Sequence, residues 1–277
     1  MSLMSKLLIS SVVATLTLSA SSLPTSEDLK NYVSKVVVKN PAVKIQSVSV
    51  MEKKTDKRIN GWTVMFIEMN LKYKGKDIKA PEMIFTKDGL ITGMLVDAKT
   101  SVNYRNALKP TVPQSFYDDE HLLYGNKDAK HKIIVFSDPQ CPFCQDNVPQ
   151  ILETVKANPT KLALYYYHLP LLRIHPVSGI LTKVMHIAQM EGKPEITDKM
   201  YKLDIKPRET NVKKVLEAIK KQTGYVVDAK KLNDKDVIEA IKLDEKRANR
   251  MLVGGTPTVY IDGKWDESKV AYKDLVK

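Results

Sequence analysis

The sequence predicts two domains of different class, an α+β unit with a helix packed on an antiparallel sheet, followed by an α/β unit. Three observations carry this expectation. An apolar stripe at helical spacing leads into alternating strands, strands and helices then take turns along the second half, and Pro110 and Pro113 interrupt the pattern between the two regions. At 277 residues, 43% hydrophobic and 27% charged, the chain can bury a real core without disulfide staples.

The elements follow in order. Residues 1–22 combine Lys6, the apolar run LLISSVVATLTLSA and the small residues Ser19, Ala20, Ser21 and Ser22, the pattern of a cleaved export signal. The run is shorter than the ~20 apolar residues of a spanning helix. The mature chain is therefore expected to be exported and soluble, in a compartment where disulfides persist. A first domain is expected over residues 23–98. TSEDLKNYVSKVVV opens with capping residues and places Leu29, Val33, Val36 and Val37 on one helical face. WTVMFIEMNLKY alternates, with Met65, Ile67, Met69, Leu71 and Tyr73 on one side of a strand. MIFTKDGLITGML then gives a hairpin that turns at Asp88 and Gly89.

Residues 99–117 are expected to be a linker, and residues 118–277 a second domain with a helical insertion at about 177–252. Within it, KIIVFSD is a strand, a helix runs from the cysteines to about Ala157, and KLALYYYHL is a second strand. PTVYIDG is a third, and a short helix from about Glu267 closes the chain. The formal charge of +12, or +11 once Lys6 is removed, is mostly lysine dispersed among Glu and Asp. Such dispersion argues against a nucleic-acid groove, which clusters its cations on one face, while the basic balance favours acidic partners or an anionic membrane surface.

The chemistry lies in DPQCPFCQ, which holds both cysteines of the chain, Cys141 and Cys144. A loop this short removes little entropy from the unfolded chain, so stabilisation is a poor reason for the pair. Zinc normally takes four ligands, no further cysteine exists, and the five histidines lack paired spacing, so no metal is expected. A thiol at the start of a helix faces unpaired N–H groups and the positive end of the helix dipole, which favours thiolate. Cys141 is therefore the expected nucleophile, and Cys144, one turn further in, the resolving thiol of a redox-active disulfide. Pro142 suits the first helical position, and Phe143 lacks the charge a histidine would supply. In GGTPTVYIDG, Gly255, Thr256 and Pro257 lead into a strand. If the Thr256-Pro257 bond is cis, the backbone before the proline can lie beside the thiols and pair with an extended substrate.

These two elements, separated by a helical insertion and preceded by a small α+β domain, resemble the periplasmic thiol:disulfide interchange proteins DsbC and DsbG. DPQCPFC is closer to DsbG, the Thr-Pro step is like that of both, and IFTKDGLITGML resembles the end of their dimerisation sheet. The resemblance implies a homodimer joined through the amino-terminal domains, with thioredoxin-like second domains facing a shared cleft. It matches Cys141 and Cys144 to the catalytic pair, Thr256 and Pro257 to the cis-proline loop, and Asp138 to a motif aspartate. That aspartate either tunes the thiolate or caps the helix.

The expected function is reduction or isomerisation of disulfides, or reduction of oxidised cysteines, in unfolded or misoxidised exported proteins of the periplasm. No cofactor is needed, and electrons would come from a membrane reductase resembling DsbD. The alternatives are a DsbA-like oxidase recharged by a quinone-linked membrane protein, and a chaperone or holdase whose thiols are incidental. Ser137, His168 and Asp138 invite a hydrolase reading that no nucleophile-elbow motif supports.

Overall fold

The structure is a computed structural model that describes residues 23–277. The export signal expected over residues 1–22 lies outside them. Among the described residues no helix is long and apolar enough to cross a membrane.

Helix α1 (Ser26–Tyr32) starts with a capping box in which Thr25 and Asp28 satisfy each other's backbone N–H groups. The chain then widens into a π turn over Val33–Val37, closed by the Val38 N–H on the Val33 carbonyl at 2.8 Å. This wider turn corrects the expected helical stripe: Leu29 and Val33 are buried, but Val36 is rotated off the face and stands 49% exposed.

Four strands form an antiparallel sheet in chain order, β1 (Lys44–Thr55), β2 (Thr63–Tyr73), β3 (Lys76–Lys87) and β4 (Leu90–Thr92). The β3–β4 turn has positive φ at both Asp88 and Gly89, the backbone that a tight hairpin needs. On one face Met65, Ile67, Met69 and Leu71 pack under Leu29 and Val33. The other face is covered near the start of β2, where Tyr104 and Leu108 of the connecting segment bury Val64, Phe66 and Phe85. Strand β2 is thus buried on both sides near its start.

The connecting segment is folded. It contains α2 (Tyr104–Ala107) and a 3₁₀ turn at Gln114–Phe116, and its Val112 N–H donates to the Gly263 carbonyl at 2.9 Å.

The second domain is a five-stranded mixed sheet in the order β5-β7-β6-β8-β9. Its strands are β5 (Leu122–Gly125), β6 (His131–Ser137), β7 (Leu162–His168), β8 (Thr258–Ile261) and β9 (Lys264–Asp266). Strands β6 and β7 are parallel and joined by α3 (Pro142–Ala157), and the other pairs are antiparallel. Both central strands read as unbroken apolar runs because each face has its own cover. Ile133, Val135, Leu164 and Tyr166 face α3 and the insertion, while Ile134, Phe136, Tyr165 and Tyr167 face Phe116 and the end of α7 (Lys235–Arg250). The three consecutive tyrosines are core, and such side chains contribute roughly 1.5–3 kcal/mol each on burial.

The insertion comprises α4 (Ser178–Met190), α5 (Glu195–Met200), α6 (Val212–Thr223) and α7. The closing helix expected from Glu267 is a 3₁₀ turn at Ala271–Leu275, because Trp265 and Asp266 are drawn into β9 opposite Tyr260 and Val259.

Candidate active site

Strand β6 delivers the chain to the site and stops at Ser137. Asp138 then turns it, its carbonyl accepting the Cys141 N–H at 3.1 Å. Cys141 is the N-cap of α3, with extended backbone and no capping side chain, and Pro142 holds the first helical position. The sulfur therefore occupies the place where a capping oxygen usually sits. Cys141 is 6% exposed, Cys144 is fully buried, and Phe143 between them is 71% exposed. Both cysteines are free thiols.

The two sulfurs ionise very differently. A hydrogen bond from the Cys144 thiol is the largest influence on Cys141; with help from the Thr256 side chain and the Cys144 and Phe143 backbone N–H groups, it outweighs burial and lowers the thiol to about 5. The sequence assigns this effect to the helix terminus, whereas in the structure the partner thiol leads and the helix amides follow. Burial, reinforced by the bond to Cys141, drives Cys144 far in the opposite direction. The pair is thus built as one thiolate and one thiol.

The Thr256-Pro257 bond is cis. The Thr256 carbonyl lies 3.4 Å from the Cys141 sulfur, and the Thr256 side chain beside the pair favours ionisation of both sulfurs, an influence that burial overwhelms at Cys144. Among the described residues the backbone N–H groups of Gly254, Gly255 and Thr256 donate to nothing, which leaves an edge open for an extended chain. A side chain at Gly254 or Gly255 would project into open space, so the glycines keep that edge clear.

Asp138 is fully buried and answers the question its spacing raises. Its carboxylate accepts from the Gln140 and Leu171 N–H groups at 2.8 Å each, from the Ser178 hydroxyl at 2.6 Å and from His175 Nδ1 at 3.1 Å. It does not cap α3. Instead it ties the turn carrying Cys141 to the start of the insertion.

Behind Cys144, Ser137 and Tyr166 each share a 2.6 Å hydrogen bond with the Tyr201 hydroxyl. Ser137 thus makes no triad with His168, whose ring lies beside those of Tyr166 and His186 and is held neutral by burial, with the two neighbouring imidazoles adding to the effect. Sequence reasoning did not find Tyr201, His175, Ser178, or the groove residues Lys109, Asn147 and Trp265. Each comes from a segment remote from the cysteines, except Asn147, which shares the α3 face that Phe143 presents.

A parallel strand pair crossed by a helix, with a dithiol at that helix's start and a cis-proline loop against it, defines a thiol-disulfide oxidoreductase. The thioredoxin family model matches residues 118–277, more than half of the sequence, and the chain belongs to that family. Its relatives include the "Probable disulfide bond formation protein D" of Bacillus cereus, 26% identical over 148 residues that cover 50% of this chain and 68% of that protein. The protein of the same name from Bacillus anthracis is 24% identical over equal shares. Among solved structures, oxidised BdbD from Bacillus subtilis superposes with a TM-score of 0.48 at 14% identity, covering 61% of this chain and 93% of that one. A thioredoxin-like oxidoreductase from Silicibacter pomeroyi gives 0.47 at 20% identity, covering 60% and 96%.

Proposed function

We propose that this protein reduces and isomerises disulfides, and reduces oxidised single cysteines, in exported proteins of the periplasm. The observation that carries the reading is the Cys141 sulfur at the mouth of α3, 3.4 Å from the carbonyl of an open backbone edge. Cys141 attacks a substrate sulfur, forming a mixed disulfide and expelling the substrate's other sulfur as a thiolate. In reduction, Cys144 loses its proton and attacks Cys141, so that the substrate leaves as a dithiol and two electrons remain missing in the Cys141–Cys144 disulfide. In isomerisation, a second substrate thiolate expels Cys141 instead, and the enzyme ends as it began. A membrane reductase resembling DsbD returns the two electrons after reduction. The high pKa of Cys144 makes its deprotonation the gate between these outcomes.

Homodimerisation belongs to the amino-terminal domain in this reading. That domain carries no part of the thiol pair, and its sheet ends on unpaired edges at β1 and β4. The test is reduction of insulin disulfides and refolding of a scrambled multi-disulfide protein. The reduced protein is expected to accelerate both, and Cys141→Ser neither; no acceleration by the wild type would overturn the proposal.

A second reading has its own support. A stabilised thiolate makes the corresponding disulfide a better oxidant, so a Cys141 lowered to about 5 also suits an oxidase of the DsbA kind. In that case a quinone-linked membrane protein would reoxidise the pair.

A further inference from the structure

A groove of about 520 Å³ adjoins the thiol site, lined by Phe143 and the cis-proline loop though by neither sulfur, and the connecting segment supplies part of its wall. Phe143 and Asn147 come from α3, Trp265 from β9, and Asn106 and Lys109 from the stretch that joins the two domains. Two lining side chains, Lys109 and Lys269, are cationic and none is acidic. The Lys109 ammonium is half-buried, donates to the Leu252 carbonyl at 2.5 Å and stands 5.9 Å from the centre of the Trp265 ring. Lys269 donates to the Glu267 carbonyl at 3.2 Å. Among the described residues neither ammonium reaches a carboxylate. Burial, with Arg105 adding repulsion, presses the Lys109 proton toward release, as expected of a cation without a counter-ion.

A half-buried charge whose partners are neutral carbonyls is poorly compensated, and a carboxylate entering the groove would relieve it. We propose that Lys109, assisted by Lys269, determines specificity by selecting extended substrate segments that carry a carboxylate side chain beside the cysteine attacked by Cys141. The segment lies along the open edge at residues 254–256, with Phe143 and Trp265 of the same groove offering apolar contact. This inference rests on the disulfide reduction proposed above. The competing role for Lys109 is to close the end of α7 through the Leu252 carbonyl. That bond uses one of three N–H donors and leaves the charge unpaired.

The two roles separate in a competition between disulfide-linked peptides with Asp or with Lys beside the cysteine. For reduction by the wild type, kcat/KM is expected to favour the Asp peptide by about tenfold at low salt, with the preference shrinking as salt rises. Lys109→Gln with Lys269→Gln brings the ratio to about one, and Lys109→Arg preserves it. The alkylation pH profile of Cys141 serves as the control for an intact thiol site. Equal rates for the two peptides with the wild type, or a Lys109→Gln variant that slows both alike while keeping their ratio, would overturn the inference while leaving the reductase reading intact. If the wild type reduces neither peptide, the reductase reading fails and the inference falls with it.

Discussion

The Cys141 sulfur and the Thr256 carbonyl oxygen stand 3.4 Å apart across 115 residues of sequence. A substrate cysteine that reaches Cys141 therefore meets the open backbone edge at the same moment, and a mixed disulfide formed there is held by main-chain pairing as well as by the S–S bond. With Cys144 removed, nothing inside the protein can resolve that intermediate. Cys144→Ser should accumulate covalent complexes with exported proteins, visible as reductant-sensitive bands on gels, whereas Cys141→Ser should form none.

The pH dependence of alkylation should reveal the thiolate. Reactivity of the reduced protein toward iodoacetamide is expected to reach half its plateau near pH 5, far below the ordinary thiol value of 9. The same depression has a stability consequence. Between these values the unfolded chain keeps a proton that the folded protein has released, so the contribution is fully present above pH 9 and is lost as pH falls through 5. The melting temperature of the reduced wild type, relative to Cys141→Ser, should therefore fall as pH is lowered across that window.

Asp138 should matter more to stability than to the chemistry of the sulfurs. Asp138→Ala leaves two buried amides, the Ser178 hydroxyl and His175 without their shared acceptor, a loss of about 3 kcal/mol or more in urea unfolding. Asp138→Asn retains an acceptor oxygen and should cost less. An Asp138→Ala protein as stable as the wild type would contradict this role.

His121 supplies a pH dependence of opposite sign. Burial disfavours its charged form, but Asp244, 2.7 Å from Nε2, and Asp118, bonded to Nδ1, together prevail and raise its pKa. Arg247 lies 3.2 Å from Nδ1, and the ring stacks on Tyr167 at 4.1 Å. A raised pKa gives stability that is complete below the unfolded value of about 6.5 and is lost as pH rises through the folded one. The stability advantage of the wild type over His121→Asn should shrink with rising pH, as followed by urea titration.

Much of this architecture is legible in the sequence, for reasons that particular residues make plain. Met65 to Leu71 alternate because one sheet face meets α1. Asp88 and Gly89 accept positive φ, and Pro142 marks the first turn of α3 to the residue. Strand β1 is missed because its side chains are mostly exposed or half-exposed and Val48 alone is buried, so hydrophobic periodicity gives it little signal. Val36 is misplaced because a π turn changes the angular step between side chains, and a stripe at helical spacing cannot register that. At the site, the thiols and the Thr-Pro step are local motifs and stand out. Lys109, Tyr201 and His175 act through tertiary contact with segments far along the chain, and no spacing rule announces them. Asp138 is of the same kind: its position is in the motif, but Leu171, His175 and Ser178, which hold its carboxylate, all lie beyond β7.

The direction of electron flow is tested most directly by acid-quenched alkylation trapping of the protein in growing cells, which counts free thiols at Cys141 and Cys144. A reductase or isomerase fed by a membrane electron donor should be trapped mainly as the dithiol, and loss of that donor should shift it to the disulfide. A pair found fully oxidised at steady state would contradict the reductase account and leave the oxidase in its place.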